Sequence, residues 1–447
     1  MNILEKVFKA GVVGEGGAGF PTHIKLKTKV EYFIINGAEC EPFLATDQYI
    51  MEHHAREIIN AMDLVAEHLG AKHAVIALKG KYKDEIKLIK EAIELENSSV
   101  EIFLLDNYYP AGDEQMIVYD VTGRTVTPGG IPASTDTVVA NVGTMLGIYE
   151  AVADQPVTYK YVSVVGDVKT PMVVKVPIGT TISECVDLAG GSLLEDYSLI
   201  LGGPMMGTFI EAAEAKERPV TKTVGGIIVI PNNHYLMNLA NTSIEHIQNQ
   251  TLSACIQCRY CTDLCPRFLI GHPLEPHKIM RKFGKVTEYG EEFKSALLCC
   301  ECGVCELIAC PMHLAPRMVN SFLKGELGKK GIRYTGDDSD ITAHPIREYR
   351  KVAPQRLISR IDLADYEPTK PNVYKEYEPD KVVIPVRQHI GRPATPIVSE
   401  GDRVEVGDLI ATVSEDEVGA NIHASISGIV LKIGENITIQ KDSQGVK

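Results

Sequence analysis

Cys255-Ile256-Gln257-Cys258-Arg259-Tyr260-Cys261-Thr262-Asp263-Leu264-Cys265-Pro266 is the stretch that decides what kind of chain this is. Three cysteines spaced by two residues, then a fourth after three more and a proline, have the spacing of a bacterial ferredoxin ligand run. In such a run three neighbouring thiolates hold three corners of one [4Fe-4S] cubane, and the fourth reaches the other cluster. A second run, Cys299-Cys300-Glu301-Cys302-Gly303-Val304-Cys305, ends in Cys310-Pro311 with one extra residue before its last cysteine. The expectation is two clusters with exchanged fourth ligands: Cys255, Cys258, Cys261 and Cys310 on the first, and Cys299, Cys302, Cys305 and Cys265 on the second. Cys300 competes with Cys299, but Cys299 keeps the two-residue gap to Cys302. Paired cysteines also build tetrahedral zinc sites, yet two triplets with Cys-Pro tails suit clusters better.

Working outward, the chain has 447 residues and 11 cysteines, nine of them between positions 255 and 310. Disulfide frameworks belong to small secreted chains, so metal binding is the better account of that density. Cys40 and Cys185 read as small buried hydrophobes. A net charge of −14 argues against a nucleic-acid binder, which would display clustered Lys and Arg. No run approaches the ~20 apolar residues of a spanning helix, and Met1 to Lys6 lacks a signal core, so the expected location is the cytoplasm.

The length calls for several domains. Residues 1–156 alternate apolar runs (Tyr32 to Ile35, Ala74 to Leu78, Ile102 to Leu105) with helical stretches (Ile3 to Ala10, Glu52 to Leu69, Lys83 to Leu95), an α/β pattern. Residues 157–234 carry β-branched runs broken by Pro and Gly, a small α+β unit. Residues 235–325 are helical and hold the cysteines, with Ser243 or Thr242 placed to cap a helix. Residues 326–380 read as an extended connector with one helix near Ile346 to Ile361. Residues 381–447 are short strands between Gly turns, a compact β unit. The fold class is multidomain α/β.

Four motifs in the first 150 residues occur in a telling order. They are Gly14-Glu15-Gly16-Gly17-Ala18-Gly19-Phe20 leading to Lys25, Asn36-Gly37-Ala38-Glu39-Cys40-Glu41, Tyr109-Pro110-Ala111-Gly112-Asp113-Glu114, and Asn141-Val142-Gly143-Thr144. Together they resemble the flavin-bearing, NADH-oxidising subunit of respiratory complex I and its relative in the Rnf complex, the RnfC protein. The resemblance implies FMN among Gly14, Gly16, Gly17, Lys25, Asn36, Ala38, Glu39, Tyr109, Gly112, Asp113, Asn141 and Thr144. It puts Phe20, Glu41 and Glu114 on the NADH side. Asp113 stands where the complex I pattern has glutamate, and Ala38 where it has an acidic residue. A flavin supplies the reactivity itself, so no acid–base or nucleophilic catalyst is assigned.

The resemblance extends to the other modules. Residues from Tyr161 to Ile230 are similar to the soluble-ligand-binding β-grasp (SLBB) module, and the C-terminal unit, with Val386-Arg387-Gln388-His389-Ile390-Gly391, is similar to a barrel-sandwich hybrid domain. No lysine stands between Glu415 and Asn421 where a swinging-arm carrier would present one. His389, His423, Met205 and Met206 read as structural. The barrel-sandwich unit comes last, and in this the chain resembles the cobalamin reductases of propanediol utilization. That likeness implies a corrinoid acceptor, an adenosyltransferase partner and work beside a diol dehydratase in a bacterial microcompartment. Two further readings are a peripheral Rnf-like subunit passing electrons between NADH and a ferredoxin or quinone partner, and a non-catalytic redox scaffold or ligand sensor.

Overall fold

Phe33, Ile34 and Ile35 are all fully buried at the centre of the N-terminal sheet. In the computed structural model, which describes residues 2–336, 341–366, 371 and 373–442, the first sheet has four strands. These are β1 (Tyr32–Gly37), β2 (His73–Lys79), β3 (Glu101–Leu105) and β4 (Thr137–Asn141), in the order β3-β2-β1-β4 and all parallel. A parallel strand covered by helices on both faces reads as an unbroken apolar run, which is why residues 32–35 lack a period of two. Helix Ala55–Leu69 turns Ile58, Ile59, Met62, Val65 and Leu69 onto this sheet and stops at Gly70, whose φ is +64°. Burying each such side chain stabilises the layer by about 1.5–3 kcal/mol. The single helix expected from Glu52 to Leu69 is two, Thr46–His53 and Ala55–Leu69. The chain bends at His54, whose Nε2 lies 3.0 Å from the Tyr161 hydroxyl.

A second sheet follows, built from β5 (Tyr159–Gly166), β6 (Met172–Pro177), β7 (Tyr197–Leu201), β8 (Thr208–Glu211) and β9 (Gly226–Pro231). Its order is β10-β6-β5-β9-β7-β8, where β10 (Tyr374–Glu376) arrives from the far end of the chain and pairs in parallel with β6. Helix Ile182–Leu188 crosses it, started by a capping box between Thr181 and Glu184. The C-terminal unit holds strands β11 to β17 at Lys381–Pro385, Thr395–Pro396, Arg403–Val404, Leu409–Thr412, Ile422–His423, Gly428–Ile433 and Asn436–Lys441. They form two small sheets, β11-β17-β16-β13 and β12-β14-β15, around Val382, Ile384, Ile410, Ile422, Ile437 and Ile439.

The cysteine module is helical. Ser243 caps helix Ile244–Ala254 by accepting from His246 N–H, and helices Pro276–Phe283 and Pro316–Lys329 close a core of Ile247, Phe283, Phe293 and Leu323. Helix Pro316–Lys329 runs past residue 325, the expected end of the cysteine module. The expected helix from Ile346 to Ile361 forms as two short pieces, Pro345–Tyr349 and Pro354–Arg360. Pro354 has no N–H to continue a helix and disfavours helical geometry at the residue before it. The break is put to use, because the Val352 carbonyl accepts from Tyr109 N–H at 2.8 Å and buried Arg347 reaches Asp120 at 2.6 Å. No helix among the described residues is long and apolar enough to cross a membrane.

Candidate functional site

From β1 the chain steps outward to β2 and β3, and then crosses back to place β4 on the free side of β1, so the strand order reverses between β1 and β4. This opens the crevice where doubly wound sheets take their ligands. Four loops converge there. Asn36, at the end of β1, accepts from Ala38 N–H at 3.0 Å and donates to the Gly112 carbonyl at 2.9 Å, locking the first loop to the third. Glu39 accepts from the N–H groups of Asp47 and Gln48, both at 3.2 Å, at the start of helix Thr46–His53. Lys79 and Tyr82 fix the same loop from β2, donating to the Glu39 carbonyl at 3.2 Å and the Ala38 carbonyl at 2.8 Å. Asn141 ends β4 and caps helix Val142–Val152 through Gly143 N–H at 2.7 Å, while its amide donates to Asp47 at 2.8 Å.

The glycine loop lies over this crevice. Thr144 Oγ1 accepts from Glu15 N–H at 3.1 Å, and the Glu15 carboxylate is paired with the buried ammonium of Lys160. A Cβ on Gly16 would come within 3.2 Å of the Asn141 Cβ, whereas Gly17 faces open space. Gly14 N–H donates to the Phe20 carbonyl at 2.9 Å, closing the loop, and Phe20 is 38% exposed at its rim. Lys25 pairs with Glu114 at 2.6 Å, and Asp113 caps helix Glu114–Thr122. Burial lifts the carboxyls gathered below. Asp47 rises to about 8, first through desolvation and then through repulsion from Glu39, which is itself raised. Two buried carboxyls this close cannot both ionise near neutral pH.

Of the residues singled out from the sequence, Gly14, Gly16, Gly17, Asn36, Ala38, Glu39, Gly112, Asp113, Asn141 and Thr144 belong to these four loops. Tyr109 and Glu41 are turned toward the neighbouring modules. The Tyr109 hydroxyl sits 3.3 Å from Glu41 and donates to the Cys302 carbonyl at 2.9 Å, and the other Glu41 oxygen accepts from Met205 N–H at 2.9 Å. Burial raises Glu41 to about 7. Asp47, Lys79, Tyr82 and Lys160 were not anticipated. Asp47, Lys79 and Lys160 lie in an ordinary helix or strand and Tyr82 just before helix Lys83–Glu96, and nothing in the local sequence marks them.

The cysteines gather around two cavities. Cys255, Cys258, Cys261 and Cys310 line one, together with His277 and Met280. Cys265, Cys299, Cys300, Cys302 and Cys305 line the other. The last cysteine of each run is thus carried to the other run's cavity. The extra residue before Cys310 is absorbed by a π-helical turn, Val304–Ala309, where one additional residue fits into the winding. Cys299 packs toward the helical core and Cys300 toward Tyr109 and Phe43, so both thiols border the same cavity from different sides.

Both cavities fit iron–sulfur clusters. The thiols surround a void, and among the described residues no three Cys, His, Asp or Glu side chains close on a single ion as a zinc site requires. Arg267 Nη1 and both polar atoms of the Asn320 side chain are buried without partners, and both residues line the second cavity. Orphaned buried polar groups are costly unless something occupies the space they border. An anionic cluster would meet the guanidinium and the amide N–H. Arg267 also spans to the flavin-type domain, donating to Asp113 at 3.0 Å with both side chains nearly enclosed.

Comparison with known proteins agrees with this layout. The Nuo51 FMN-binding domain matches residues 7–150, the SLBB domain 161–209, the 4Fe-4S dicluster domain 254–315 and the RnfC barrel sandwich hybrid domain 366–446. Fold and site together define a modular flavin and iron–sulfur redox protein. The chain is 41% identical over 435 residues to cobalamin reductase PduS of Salmonella typhimurium, covering 97% of this chain and 95% of that one. It is 40% identical over 440 residues to PduS of Citrobacter freundii, with 98% and 96% covered. It belongs to the PduS cobalamin reductase family. A component of the Na⁺-translocating ferredoxin:NAD⁺ oxidoreductase complex of Acetobacterium woodii is more distantly similar, at 33% over 270 residues, 59% of this chain and 57% of that one.

Proposed function

We propose that the chain is an NADH-dependent cobalamin reductase, with FMN held at the β1–β4 crevice and two [4Fe-4S] clusters held by the two cysteine sets. Bound FMN takes a hydride as an electron pair and gives electrons up singly, as one-electron clusters need. Gly14, Gly16 and Gly17 let the backbone approach a phosphate, and Lys25 adds positive charge beside them. Asn36, Ala38, Glu39, Tyr109, Gly112, Asp113, Asn141 and Thr144 form the remaining walls. Phe20, Glu41 and Glu114 are assigned to the NADH side.

Cys265, Cys299, Cys302 and Cys305 make the inner set, next to the flavin domain, and Cys255, Cys258, Cys261 and Cys310 the outer one. The observation that carries the reading is the junction at Tyr109 and Asp113. Two side chains from the loop that walls the crevice bond directly to Cys302 and to Arg267 at the inner cavity. The corrinoid acceptor follows from the near full-length likeness to the two cobalamin reductases. An adenosyltransferase partner and a cytoplasmic site inside a microcompartment accord with that likeness.

The test is spectroscopic. Anaerobically purified protein should carry flavin and iron, NADH should bleach the flavin bands and then the cluster bands, and added cob(III)alamin should restore them while itself being reduced. Flavin and clusters that stay oxidised with NADH remove the donor. Bleaching by NADH without corrinoid reduction returns the chain to the Rnf-like reading.

A further inference from the structure

We propose that the face of the outer cysteine set is a docking surface for a small acidic one-electron-transfer protein, formed by an exposed apolar patch and a row of cations on helix Pro276–Phe283. The proposal rests on the outer set holding a cluster. Its evidence is the surface around that set. Leu252, Ile256, Tyr260 and Met312 are 56%, 63%, 54% and 41% exposed, and Ile256 and Met312 border the outer cavity itself. Single exposed apolar residues are ordinary, but two at the mouth of a redox cavity, with two more within four residues of Ile256 along the chain, form a patch of the kind that marks interaction sites.

The cations lie along the same edge. At the start of helix Pro276–Phe283, Gln257 Nε2 donates to the His277 carbonyl at 3.3 Å. At its end Gly284 packs so closely on Leu252 that an added Cβ would lie 3.1 Å away. The helix therefore follows the rim of the patch from one side to the other. Ile279, Met280 and Phe283 face inward, while Lys278, Arg281, Lys282 and the following Lys285 are exposed. Lys278 is paired with Glu275, and nearby Arg259 with Asp263 at 3.1 Å. Arg281 and Lys285 have no carboxylate partner among the described residues.

In a chain of net charge −14, exposed Arg281 and Lys285 without carboxylate partners put free cations beside the outer redox set. Such a rim favours an acidic partner. An apolar centre with a charged rim is the usual anatomy of an interface, and a patch this small suits the weak, rapidly exchanging contacts of electron-transfer pairs. The step balances simply: one electron leaves one partner's one-electron centre and enters the other's, with no bond made and no proton moved.

The experiment titrates the intact, cluster-loaded protein with an acidic plant-type [2Fe-2S] ferredoxin as probe and basic cytochrome c as control, both oxidised. Binding is followed by calorimetry and NMR line broadening. Ferredoxin should bind and cytochrome c should not, with ferredoxin affinity falling about tenfold or more as salt is raised through the physiological range. Arg281→Glu with Lys285→Glu should weaken ferredoxin binding similarly, and Leu252→Asp should abolish it, with iron content unchanged. Preference for cytochrome c, binding of neither probe, salt-independent binding, or self-association through this face overturns the proposal. NADH bleaching recorded on the same samples tests the reductase reading independently, so either can fail alone.

Discussion

Replacing Asn320 by leucine separates what the second cavity does when empty from what it does when filled. Asn320 is 1% exposed on helix Pro316–Lys329, and neither its amide nitrogen nor its oxygen has a protein partner. Each unpartnered buried polar group costs about 1–3 kcal/mol. An apolar side chain of similar volume should therefore stabilise the cluster-free chain by at least about 1 kcal/mol. The loaded protein should respond in the opposite sense. A hydrogen bond to a charged acceptor strengthens as charge is added, and a difference of about 1 kcal/mol between oxidation states is reasonable from the gap between neutral and charged bonds. At 59 mV per tenfold for one electron, that lowers the inner cluster's reduction potential by about 40 mV. Redox titration followed by electron paramagnetic resonance reads this directly, with the outer cluster as internal control. An unchanged inner potential, with the stability gain present, would refute the idea that the amide faces the cluster.

Three further outcomes follow from particular contacts. Cys310→Ser should strip iron from the Cys255, Cys258 and Cys261 set and leave the other cluster's spectrum intact, with Cys265→Ser doing the reverse; loss of the cluster belonging to the substituted run would contradict the exchanged pairing. Asp113→Asn keeps an oxygen for the helix cap but leaves the buried Arg267 charge uncompensated, which costs about 3–5 kcal/mol and should appear as faster hydrogen exchange at the flavin–cysteine junction. Lys222 is buried where three modules meet, donating to the carbonyls of Gly11 at 2.6 Å and Asn421 at 2.7 Å, and burial lowers its pKa to about 7. Its folded pKa lies below the unfolded value of 10.5, so between those values the unfolded chain binds more protons and stability rises with pH. Relative to Lys222→Met, the native protein should gain about 2 kcal/mol of protection between pH 7 and 9, measured by hydrogen exchange around Gly11 and Asn421. A flat difference across that range would mean that the ammonium never loses its proton there.

Much of this molecule is legible residue by residue. The buried run Phe33 to Ile35 and the amphipathic pattern of Ala55–Leu69 are local, and both form where the sequence predicts. The 447-residue chain's module order and its family are likewise legible, and the near full-length match to the cobalamin reductases agrees with them. What goes astray is set by distant partners. His54 breaks a helix that its neighbours favour, at a bend where its ring meets Tyr161, and residues 350–353 stay outside any helix, with Val352 bonded to Tyr109. Glu41 and Tyr109 likewise bond across module boundaries, to Met205 N–H and the Cys302 carbonyl, contacts that no local pattern announces.

The eight cysteines mark the division most clearly. Their identity, number and spacing are properties of the chain and define two iron–sulfur ligand sets, because thiolate type and separation decide which metal centre can be held. How the extra residue before Cys310 is wound into a π-turn and which set faces the flavin domain depend on helices packing against each other. So do the orphaned Arg267 and Asn320 groups beside the inner set. A sequence fixes the chemical groups and their local periods, but convergence of groups tens to hundreds of residues apart is decided only when the buried faces of separate modules meet.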